Sequence, residues 1–581
     1  MEYRWSLFPP DELTADYLSK SLGISKIVAQ CLINRGIRDK EYGKVFLRPE
    51  LKRLSNPFLL PDMSKAVERL FNTFEREESV VIFGDYDVDG VTSTVLLYDL
   101  LRKFGFDVNY YFPNRMEEGY GLNSESVNKC LRKFPTRLII AVDCGTSAFE
   151  VIKKLKQNNI DVIVLDHHQI SSEIPPTIAL VNPFVHRNSN DRDKPENSQF
   201  TELCSVGIVF KLAHAFIKRA RELGIKKAFD VDIRNYLDLV ALGTIADMVP
   251  LVGENRILAT AGLKMLNTNP RAGLKSLISV SATRSKIGAH EVGFQLAPRL
   301  NATGRLETAE DALQLLLAES PDESLLLAQR LDAKNRERQM IEHRIFEDVF
   351  KIVLDKFNPE KDYVIVEGNP DWHIGVVGIV ASKIVQQFYR PTIIMGGDGV
   401  YLRGSGRSID GFDIAKALCK CRDLLIKCGG HSMAAGVTIK HSNLNKLRER
   451  LNEFAKQELT REDLSSDIMI DAKIKLSELS FEVMDEIEHL KPFGSGNRQI
   501  QLLSTGLKHY RPLLRIGSER QHIKMWVTDG NVVFEAILWN GGDSPLPTGK
   551  FDLVFTPQIN EYNQKISIVL NVIGWRSSSN D

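Results

Sequence analysis

Acidic and histidine residues follow three apolar runs of the sequence, each at the point where the run ends. The run VVIFG leads into Asp85, Asp87 and Asp89, LIIAV into Asp143, and DVIVL into Asp166, His167 and His168. Several carboxylates with one or two imidazoles suit Mn²⁺ or Mg²⁺, and the imidazole favours Mn²⁺. Such a set is large enough for two ions that share a bridging carboxylate. Two-metal sites of this kind catalyse displacement reactions at the phosphorus of phosphoesters.

A metal site explains this set better than separate roles for each acid. Carboxylates a few ångströms apart cannot all ionise unless a positive charge lies among them. Asp89 could instead cap the following helix, because it directly precedes Gly90, and we also count it among the catalytic candidates. Asp247 is an isolated charge in the mostly apolar segment LDLVALGTIADMVPL, so it is either a satisfied buried acid or a further metal ligand.

The apolar runs themselves predict the element that positions these residues. Continuous Val/Ile/Leu runs that alternate with helical segments are typical of parallel strands buried on both faces. The sequence from about residue 79 therefore predicts a doubly wound α/β domain with a parallel sheet. Ligands bind at the carboxyl ends of the strands in such sheets, so the three sets of polar residues should meet in one crevice.

Other patterns divide the rest of the chain. SLGISKIVAQCLINRGI predicts short N-terminal helices, and Ser320-Pro321-Asp322-Glu323 predicts the start of a helix of roughly 50 Å, whose middle, DAKNRERQ, is polar all round and should be solvated. YVIVEG, GIVASKIVQQF and PTIIM then predict a second α/β region, and HIKMWVTD, VVFEAILWN, FDLVFTPQI and KISIVLNVIGW predict a small antiparallel β-barrel.

These patterns predict five segments: an N-terminal helical cap (1–75), the sheet domain (76–310), a long connecting helical segment (311–358), a second α/β domain (359–462) and a barrel (463–581). About three or four domains are also what 581 residues should form.

Composition excludes several classes of protein. Lys plus Arg and Asp plus Glu both number 75, so the chain is no histone-like polycation, although a local basic groove remains compatible with zero net charge. No apolar run approaches the roughly 18 residues of a membrane span, and we expect neither a signal peptide nor membrane association. Seven cysteines without an export signal indicate reduced thiols in the cytoplasm.

Cys419, Cys421, Cys428 and His431 lie close enough in sequence to raise the question of a zinc site. Their spacing is not the paired C-x2-C of most zinc sites, and the segment begins as an apolar helix. Buried thiols are therefore our preferred interpretation, with zinc as the alternative.

Four of the segments discussed above, GDYDVDG, VDCG, DHH and GTIADMVPL, resemble in order the metal-site motifs of the DHH phosphoesterase family. The resemblance is strongest to the family's bacterial exonucleases that are specific for single-stranded DNA. It continues through PNRMEEGYGL, LCSVGIVFKL, APRLNATGRL, WHIGVVGIVASKI, GSGRSI and GGHSMAAG, and so covers nearly the whole chain. It implies that the sheet domain is a DHH domain, the second α/β domain a DHH-associated domain, and the barrel an OB-fold.

The resemblance also implies roles for individual residues. The metal ligands would be Asp85, Asp87, Asp143, His167 and Asp247, with Asp143 as the bridging carboxylate. His168 would contact the scissile phosphate or help the leaving group, and Asp166 would orient a histidine.

Residues for binding the nucleic acid follow from the same resemblance. The matching positions are Arg115, Arg305, Arg403, Ser405, Arg407, Gly429, Gly430 and His431. Neighbouring glycines would let backbone N–H groups approach a phosphate, and arginine would supply bidentate charge. By composition alone, GSGRS could equally be a tight surface turn.

The function that the resemblance implies is a metal-dependent 5′→3′ exonuclease that degrades single-stranded DNA to mononucleotides in DNA repair and recombination. A monomer is expected, with single-strand-binding protein and a helicase as possible partners from the family. One alternative is a phosphoesterase of short oligonucleotides or cyclic dinucleotides, although a small substrate needs neither the cap nor the barrel. Another is a non-catalytic DNA-binding scaffold, against which the intact ligand set argues.

Overall fold

The structure, a computed structural model, describes residues 4–114, 118–119, 121–170, 173–185, 200–283, 286–306, 308–542, 547–562 and 565–578. The chain forms two compact units. The first unit comprises Asp11–Asn335 and Leu479–Ile500, and the second comprises Met1–Pro10, Arg336–Glu478 and Gln501–Asp581. The polypeptide therefore passes between the units several times, and the unit boundaries do not coincide with one cut in the sequence.

The N-terminal segment and the first sheet contain alternating strands and helices. Their bounds are β1 (Arg4–Leu7), α1 (Glu12–Leu22), α2 (Lys26–Ile33), α3 (Lys40–Leu47), α4 (Met63–Glu75), β2 (Val80–Gly84), α5 (Val88–Phe104), β3 (Val108–Tyr111), α6 (Ser124–Lys133), β4 (Leu138–Val142), α7 (Phe149–Gln157), β5 (Asp161–Leu165) and β6 (Ala179–Val181).

Strands β2–β6 form the sheet of the first unit, in the order β3-β2-β4-β5-β6 with every pair parallel. The prediction of a parallel sheet is confirmed, and β2, β4 and β5 coincide with the three apolar runs. Nearly all residues of these three strands are buried, which explains why the runs are continuously apolar. Because the three strands are adjacent and parallel, their carboxyl ends lie at one edge of the sheet.

Helices complete the first unit. They are α8 (Ser205–Glu222), α9 (Lys227–Asp230), α10 (Leu237–Ala246), α11 (Gly253–Thr268), α12 (Ala272–Val280), α13 (Ala289–Glu291), α14 (Ala297–Leu306) and α15 (Glu310–Leu317). The long α16 (Pro321–Lys356) begins in the first unit and continues into the second, because the boundary between the units falls after Asn335. A π-helical turn, Val292–Leu296, joins α13 to α14. No helix in the described ranges is long and apolar enough to cross a membrane.

Helix α16 has 36 residues, which agrees with the predicted length of roughly 50 Å. The prediction of a solvated middle is wrong for one face of the helix, where Asp332, Asn335 and Arg338 are buried, although Arg336 and Glu337 on the other face are exposed. Asp332 accepts a hydrogen bond from Arg299 at 2.9 Å, and Arg338 forms an ion pair with Glu342 one turn later. Polar residues can be buried on one helix face when charged partners satisfy them, and composition alone does not reveal those partners.

The second unit begins with a mixed α/β layer. Its elements are β7 (Ile365–Gly368), α17 (Val377–Phe388), β8 (Thr392–Gly397), β9 (Tyr401–Arg407), α18 (Ile414–Lys420), β10 (Leu425–His431), β11 (Ala434–Lys440) and α19 (Leu444–Glu458). The strand order is β10-β11-β9-β8-β7, in which only the pair β7–β8 is parallel. The second α/β region is therefore confirmed, and it differs from the first in its largely antiparallel sheet.

The last elements form a closed barrel. Its strands are β13 (Ala472–Lys473), β14 (Leu502–Ile516), β15 (His522–Thr528), β16 (Val533–Leu538), β17 (Phe551–Tyr562) and β18 (Lys565–Ser577). Two neighbouring elements lie outside the barrel sheet: β12 (Asp467–Ile470) and α20 (Phe481–Glu488), of which α20 belongs to the first unit. The strand order is β13-β14-β15-β16-β18-β17, and pairing of β14 with β17 closes the ring. This topology confirms the predicted OB-fold, although β16 and β18 pair in parallel.

Two connections cross the predicted segment boundaries. The N-terminal strand β1 pairs in parallel with β12, so residues 4–7 belong with the second unit. Residues 479–500 belong with the first unit, where buried Arg256 donates hydrogen bonds to the carbonyls of His489, Leu490 and Lys491. These contacts join residues more than 200 positions apart, and no local pattern predicts them.

Candidate active site

The turn after β2 carries the first two acids of the predicted set. Asp85 is buried, and the carboxylate of Asp87 accepts a hydrogen bond from the backbone N–H of Gly90 at 3.1 Å. Asp87 is therefore the residue that caps α5, a role that the sequence suggested for Asp89. The carboxylate that caps the helix is also one of the proposed metal ligands, so helix geometry fixes where it lies.

Asp89 instead interacts with the start of a different helix. Its two carboxylate oxygens accept hydrogen bonds from the backbone N–H groups of Ser205 at 2.7 Å and Val206 at 2.8 Å, the first residues of α8. Burial and the charge of Asp87 raise the pKa of Asp89 to about 7. Asp89 thus ties α5 to α8 beneath the acidic cluster, and its part in catalysis stays a prediction.

Asp143, at the end of β4, has the left-handed backbone conformation (φ 61°) that non-glycine residues rarely adopt. Its Oδ1 accepts a hydrogen bond from Ser205 Oγ at 2.9 Å, and the side chain is buried. Burial, followed by the charges of Asp87 and Asp89, raises the pKa of Asp143 well above its usual value. Such strain and unfavourable charge concentrate at functional sites, where a ligand relieves the charge.

His167 lies among three of the carboxylates. Its Nε2 is 3.5 Å from Asp143 Oδ1, 3.5 Å from Asp247 Oδ2 and 4.0 Å from Asp89 Oδ2. Burial and the neighbouring His168 lower the pKa of His167 to about 4, so the neutral ring has a lone pair for a metal. Asp247 follows the last residue of α10, and burial with the charge of Asp89 raises its pKa to about 9.

His168 and Asp166 form a separate hydrogen-bonded pair. Asp166 Oδ1 lies 2.7 Å from His168 Nδ1 and accepts the backbone N–H groups of His167 and His168. Burial opposes ionisation of Asp166, but His168 outweighs it and holds the pKa of this carboxyl well below its usual range. Burial likewise opposes protonation of His168, yet Asp166 raises its pKa to about 9. Asp166 therefore holds the His168 ring through its Nδ1 atom, and its role of orienting a histidine for catalysis stays a prediction.

Neutral residues that the sequence patterns did not reveal support these side chains. The backbone N–H of Thr146 donates to Asp166 Oδ2 at 3.1 Å, and Asn182 Nδ2 donates to Thr146 Oγ1 and to the backbone carbonyl of His168. With Ser205, these residues come from three separate loops or helix starts. The short motif LCSVG contained Ser205, but nothing in its spacing indicated the contact with Asp143.

The donor set fits divalent metal ions. Three groups have ligand atoms within 4.8 Å of one another: Asp85, Asp87 and Asp143; Asp143, His167 and His168; and Asp89, His167 and Asp247. Asp143 and His167 each belong to two groups, as residues between neighbouring ions would. In the described part of the chain, the buried Oδ2 of Asp247 accepts no hydrogen bond. Oxygen-rich groups with an imidazole suit Mn²⁺ and Mg²⁺.

The motif APRLNATGR packs against the same site. Asn301 Oδ1 accepts a hydrogen bond from the backbone N–H of Val88 at 3.1 Å. A Cβ built on Gly304 would lie 2.6 Å from the carbonyl oxygen of Tyr86, so α14 approaches the turn after β2 too closely for any side chain. Arg305 follows directly, and its contact with a phosphate stays a prediction. Arg115 lies outside the described residues.

The predicted substrate residues of the second unit lie on neighbouring strands. Arg403, Ser405 and Arg407 are on β9, and Gly429, Gly430 and His431 are on β10, with β11 between them. In this register Gly436 of β11 faces both Ser405 and Gly429. Pairing of both strands with β11 thus brings together two motifs that lie more than 20 residues apart in the sequence.

The tight turn that composition alone left open at GSGRS does not form, and the expectation that its glycine N–H groups approach a phosphate is wrong. Strand β9 pairs along its length with β8 and β11, so its backbone N–H groups serve the sheet. The glycines are required by packing instead. A Cβ on Gly404 would lie 2.2 Å from Met395 Cγ, and one on Gly406 would lie 2.6 Å from Ile414 Cδ1.

Ser405 and Arg407 meet the first turn of α17. A Cβ on Gly378 would lie 3.2 Å from Ser405 Oγ and 3.4 Å from Arg407 Nη2. Arg407 Nη1 also donates to Ser405 Oγ at 2.6 Å. A helix N-terminus, a hydroxyl and a guanidinium together form a surface that favours an anion such as phosphate.

The thiols of the second unit follow the preferred interpretation only in part. Cys421 is buried in a hydrophobic cluster with Leu418 and Leu447, whereas Cys428 is half-buried and Cys419 is exposed. The three groups of metal-ligand atoms found among the described residues all lie in the first unit.

The outer face of the barrel carries an aromatic ring with cations beside it. The Arg511 guanidinium lies 3.5 Å from the centroid of the Trp526 ring, and Lys524 Nζ lies 5.4 Å from it. Arg511 is on β14, whereas Lys524 and Trp526 are on β15, the second strand of the closed ring, and OB-folds bind oligonucleotides on the face of their second and third strands. Rings with nearby cations suit stacking of bases beside a charged backbone.

Three family profiles match separate parts of the chain. The profile described as "DHH family, N-terminal domain" matches residues 79–244, the "DHHA1 domain" matches 361–457, and the "RecJ OB domain" matches 470–574.

Whole-chain relatives extend this similarity. The single-stranded-DNA-specific exonuclease RecJ of Bacillus subtilis is 36% identical over 571 residues, covering 97% of this chain and 69% of the relative. Crystal structures of RecJ from Thermus thermophilus in complex with Mn²⁺ and with Mg²⁺ superpose with TM-scores of 0.84 and 0.77 at 27% and 26% identity. Both superpositions cover 100% of this chain, and they cover 80% of the Thermus chain in the Mn²⁺ complex and 79% in the Mg²⁺ complex.

Proposed function

The chain belongs to the RecJ family of single-stranded-DNA-specific exonucleases, and from this membership we propose that it removes mononucleotides from the 5′ end of single-stranded DNA. It is a metal-dependent exonuclease and a phosphodiester hydrolase that uses Mn²⁺ or Mg²⁺. Polarity, mononucleotide products and a role in DNA repair and recombination are proposals that rest on the family.

The observation that carries the residue assignment is that the three groups of ligand atoms are linked by shared members: Asp143 belongs to two of them, and so does His167. We propose that Asp85, Asp87, Asp143, His167 and Asp247 hold two ions, with Asp143 as the bridge. When bound, the ions would acidify a water for in-line attack and neutralise charge on the phosphate. Asp89 would keep α5 and α8 in register so that these ligands converge.

His168 is proposed as the group that contacts the phosphate or the leaving oxygen. Its Nδ1 is held by Asp166 at 2.7 Å, which leaves Nε2 as the ring atom that can face substrate. A histidine whose pKa is raised to about 9 carries a proton near neutral pH and can donate it to a developing oxyanion. Asp166 acts through His168 and is therefore a positioning residue.

Phosphate binding at the 5′ end is proposed for the second unit. Ser405 and Arg407 lie at the first turn of α17, and Arg403 is on the same strand. Gly429, Gly430 and His431 lie on β10, whose only strand partner among the described residues is β11, so this edge is open to a ligand. Arg115 and Arg305 are proposed to contact the phosphates nearer the metal ions.

The barrel is proposed to hold the downstream strand. Stacking on Trp526 and charge from Arg511 and Lys524 would act on any base sequence, as a non-specific exonuclease requires. We further propose a cytoplasmic monomer. Single-strand-binding protein and a helicase are proposed as partners on the ground of family membership.

The test uses end-labelled single strands of increasing length and a matched duplex, with Mn²⁺ or with EDTA. We expect mononucleotides released from the 5′ end of long single strands, with no cleavage in EDTA and little on the duplex. Cleavage restricted to dinucleotides would identify a small-substrate phosphoesterase. Metal-dependent binding of long strands without any cleavage would identify a scaffold.

A further inference from the structure

An exposed aromatic pair lies on the first unit, outside the residues assigned above. Phe294 has 74% of its surface exposed, and its ring stacks on that of His290 with a centroid distance of 4.8 Å and an interplanar angle of 28°. The stacked pair therefore presents a flat aromatic face to solvent, a geometry that suits contact with another ring.

The pair stands on an irregular helical turn. Phe294 lies within the π-helical segment Val292–Leu296, between α13 and α14. Buried Val292 and Leu296 anchor the turn in the hydrophobic core, while Phe294 between them points to solvent. Single π-helical turns are uncommon and occur frequently at functional sites.

The same helical segment leads to the metal centre. Seven residues after Phe294, about 10 Å along a helix, Asn301 accepts the backbone N–H of Val88 in the turn that carries Asp85 and Asp87. The π-helical turn also packs against α10, the helix whose last residue directly precedes Asp247. Two separate elements therefore connect the exposed rings to the proposed metal ligands.

We propose that the Phe294–His290 pair stacks against a nucleobase of single-stranded DNA, within a few nucleotides of the bond that is cleaved. The chemistry that recognises the ligand is that of a flat, sequence-independent π-face. A phosphate would not select an exposed phenyl ring, and a paired base in a duplex does not offer its face. The pair would thus contribute to the preference for unpaired strands, and the proposal rests on the chain acting on single-stranded DNA.

The experiment compares Phe294→Ala with wild type on 5′-phosphorylated single strands, scoring only the first cleavage event. The substrates are one intact strand and a series of strands that each carry a single abasic site, placed at a different distance from the 5′ end in each. On intact strands, Phe294→Ala should raise KM about tenfold with kcat within about twofold, the size expected for one stacked base. On the strand that lacks the stacked base, wild type and variant should have equal KM values. Phe294→Trp should behave as wild type.

Phe229→Ala is the matched control. Phe229 is also an exposed phenylalanine of the first unit, with the Arg221 guanidinium 6.0 Å from its ring. Phe229 lies on α9, which follows the C-terminal end of the 18-residue helix α8. The N-terminal end of α8, where Ser205 contacts Asp89 and Asp143, is about 27 Å away along that helix. Phe229→Ala should leave KM unchanged on every strand.

Three results would overturn the proposal: an unchanged KM for Phe294→Ala on intact strands, an equal loss on intact and all abasic strands, or a failure of Phe294→Trp to restore binding while its melting temperature is that of wild type. None of these results would be confused with a failure of the proposed nuclease function itself. In that case wild type itself would release no nucleotides from the intact strand.

Discussion

The acidic cluster of the first unit and the strand surface of the second unit are both proposed to bind parts of the same substrate, but they are built in opposite ways. The carboxylates of Asp85 and Asp143 are buried at strand ends and that of Asp89 is buried in the first turn of α5, and burial with mutual repulsion raises the pKa of Asp89 and Asp143. Arg403 and His431 instead lie exposed on a sheet. Buried like charges require a counter-ion, whereas exposed charges are screened by water.

This contrast has a consequence for mutations. Removing a ligand from the acidic cluster removes the site of the counter-ion and should abolish the reaction. Removing a charge from the strand surface should weaken one contact among several. The predictions that follow test this difference, beginning with the largest effect.

Asp143→Ala should lower the rate of single-strand cleavage at least about 1000-fold in saturating Mn²⁺, because Asp143 is the one carboxylate that belongs to two of the ligand groups found among the described residues. The metal-free variant should be as stable as wild type or more so, since one repelling charge is gone. Single-turnover cleavage and thermal melting in EDTA measure both quantities. Turnover at the wild-type rate would remove Asp143 from the site.

The two histidines should separate metal binding from catalysis. His167→Ala should weaken Mn²⁺ binding by about tenfold or more, since its Nε2 lies among three carboxylates. His168→Ala should lower kcat by about 100-fold or more while the metal midpoint stays near that of wild type, because its Nδ1 is engaged by Asp166. Activity titrated against Mn²⁺ distinguishes the two variants, and an equal loss of metal affinity in both would refute this division of roles.

Arg407→Ala should reduce cleavage of a 5′-phosphorylated strand by about 10- to 100-fold and have little effect on a 5′-hydroxyl strand. Arg407→Lys keeps the charge but not the fork that donates to Ser405, so it should recover only part of the loss. Comparing kcat/KM for both strands on all three proteins tests this. The same fold-loss on both ends would place Arg407 elsewhere along the DNA.

Metal-free protein should become less stable as the pH rises. Burial and neighbouring acids raise the pKa of Asp247 to about 9 and that of Asp89 to about 7. A carboxyl with a raised folded-state pKa stabilises the fold below its unfolded pKa of about 4, and this stabilisation is lost as the pH rises through the folded value.

Mn²⁺ should therefore raise the melting temperature more at about pH 8.5 than at about pH 5.5, by roughly 5 °C. Melting curves with Mn²⁺ and with EDTA at both pH values measure the difference. Arg407→Ala is the control and should follow wild type, because its site holds no buried acids. A metal-induced shift that is larger at the lower pH would contradict the assignment of the acids.

The sequence predicted the parts of the site that depend on local pattern. The strands β2, β4 and β5 were readable because both faces are buried, which leaves continuous apolar runs with polar residues at their ends. Asp143 and His167 could thus be assigned to one crevice from parallel-sheet geometry alone.

The parts that failed depend on long-range contacts. GSGRS is a strand because β8 and β11 flank it, although its glycines are typical of a turn. Asp89 caps α8, more than 100 residues away, and Asn301 reaches the turn at Val88 from α14. Tertiary packing decides such positions, and a single sequence contains no periodicity that records it.

The central claim is that the acidic cluster holds two metal ions that share Asp143. Equilibrium titration of Mn²⁺ into wild type and Asp143→Asn, with bound metal counted directly, tests it without any nuclease assay. We expect two ions per chain in wild type and at most one in Asp143→Asn, with no change in the count for Arg407→Ala. A single ion in wild type, or two ions bound with undiminished affinity by Asp143→Asn, would contradict it.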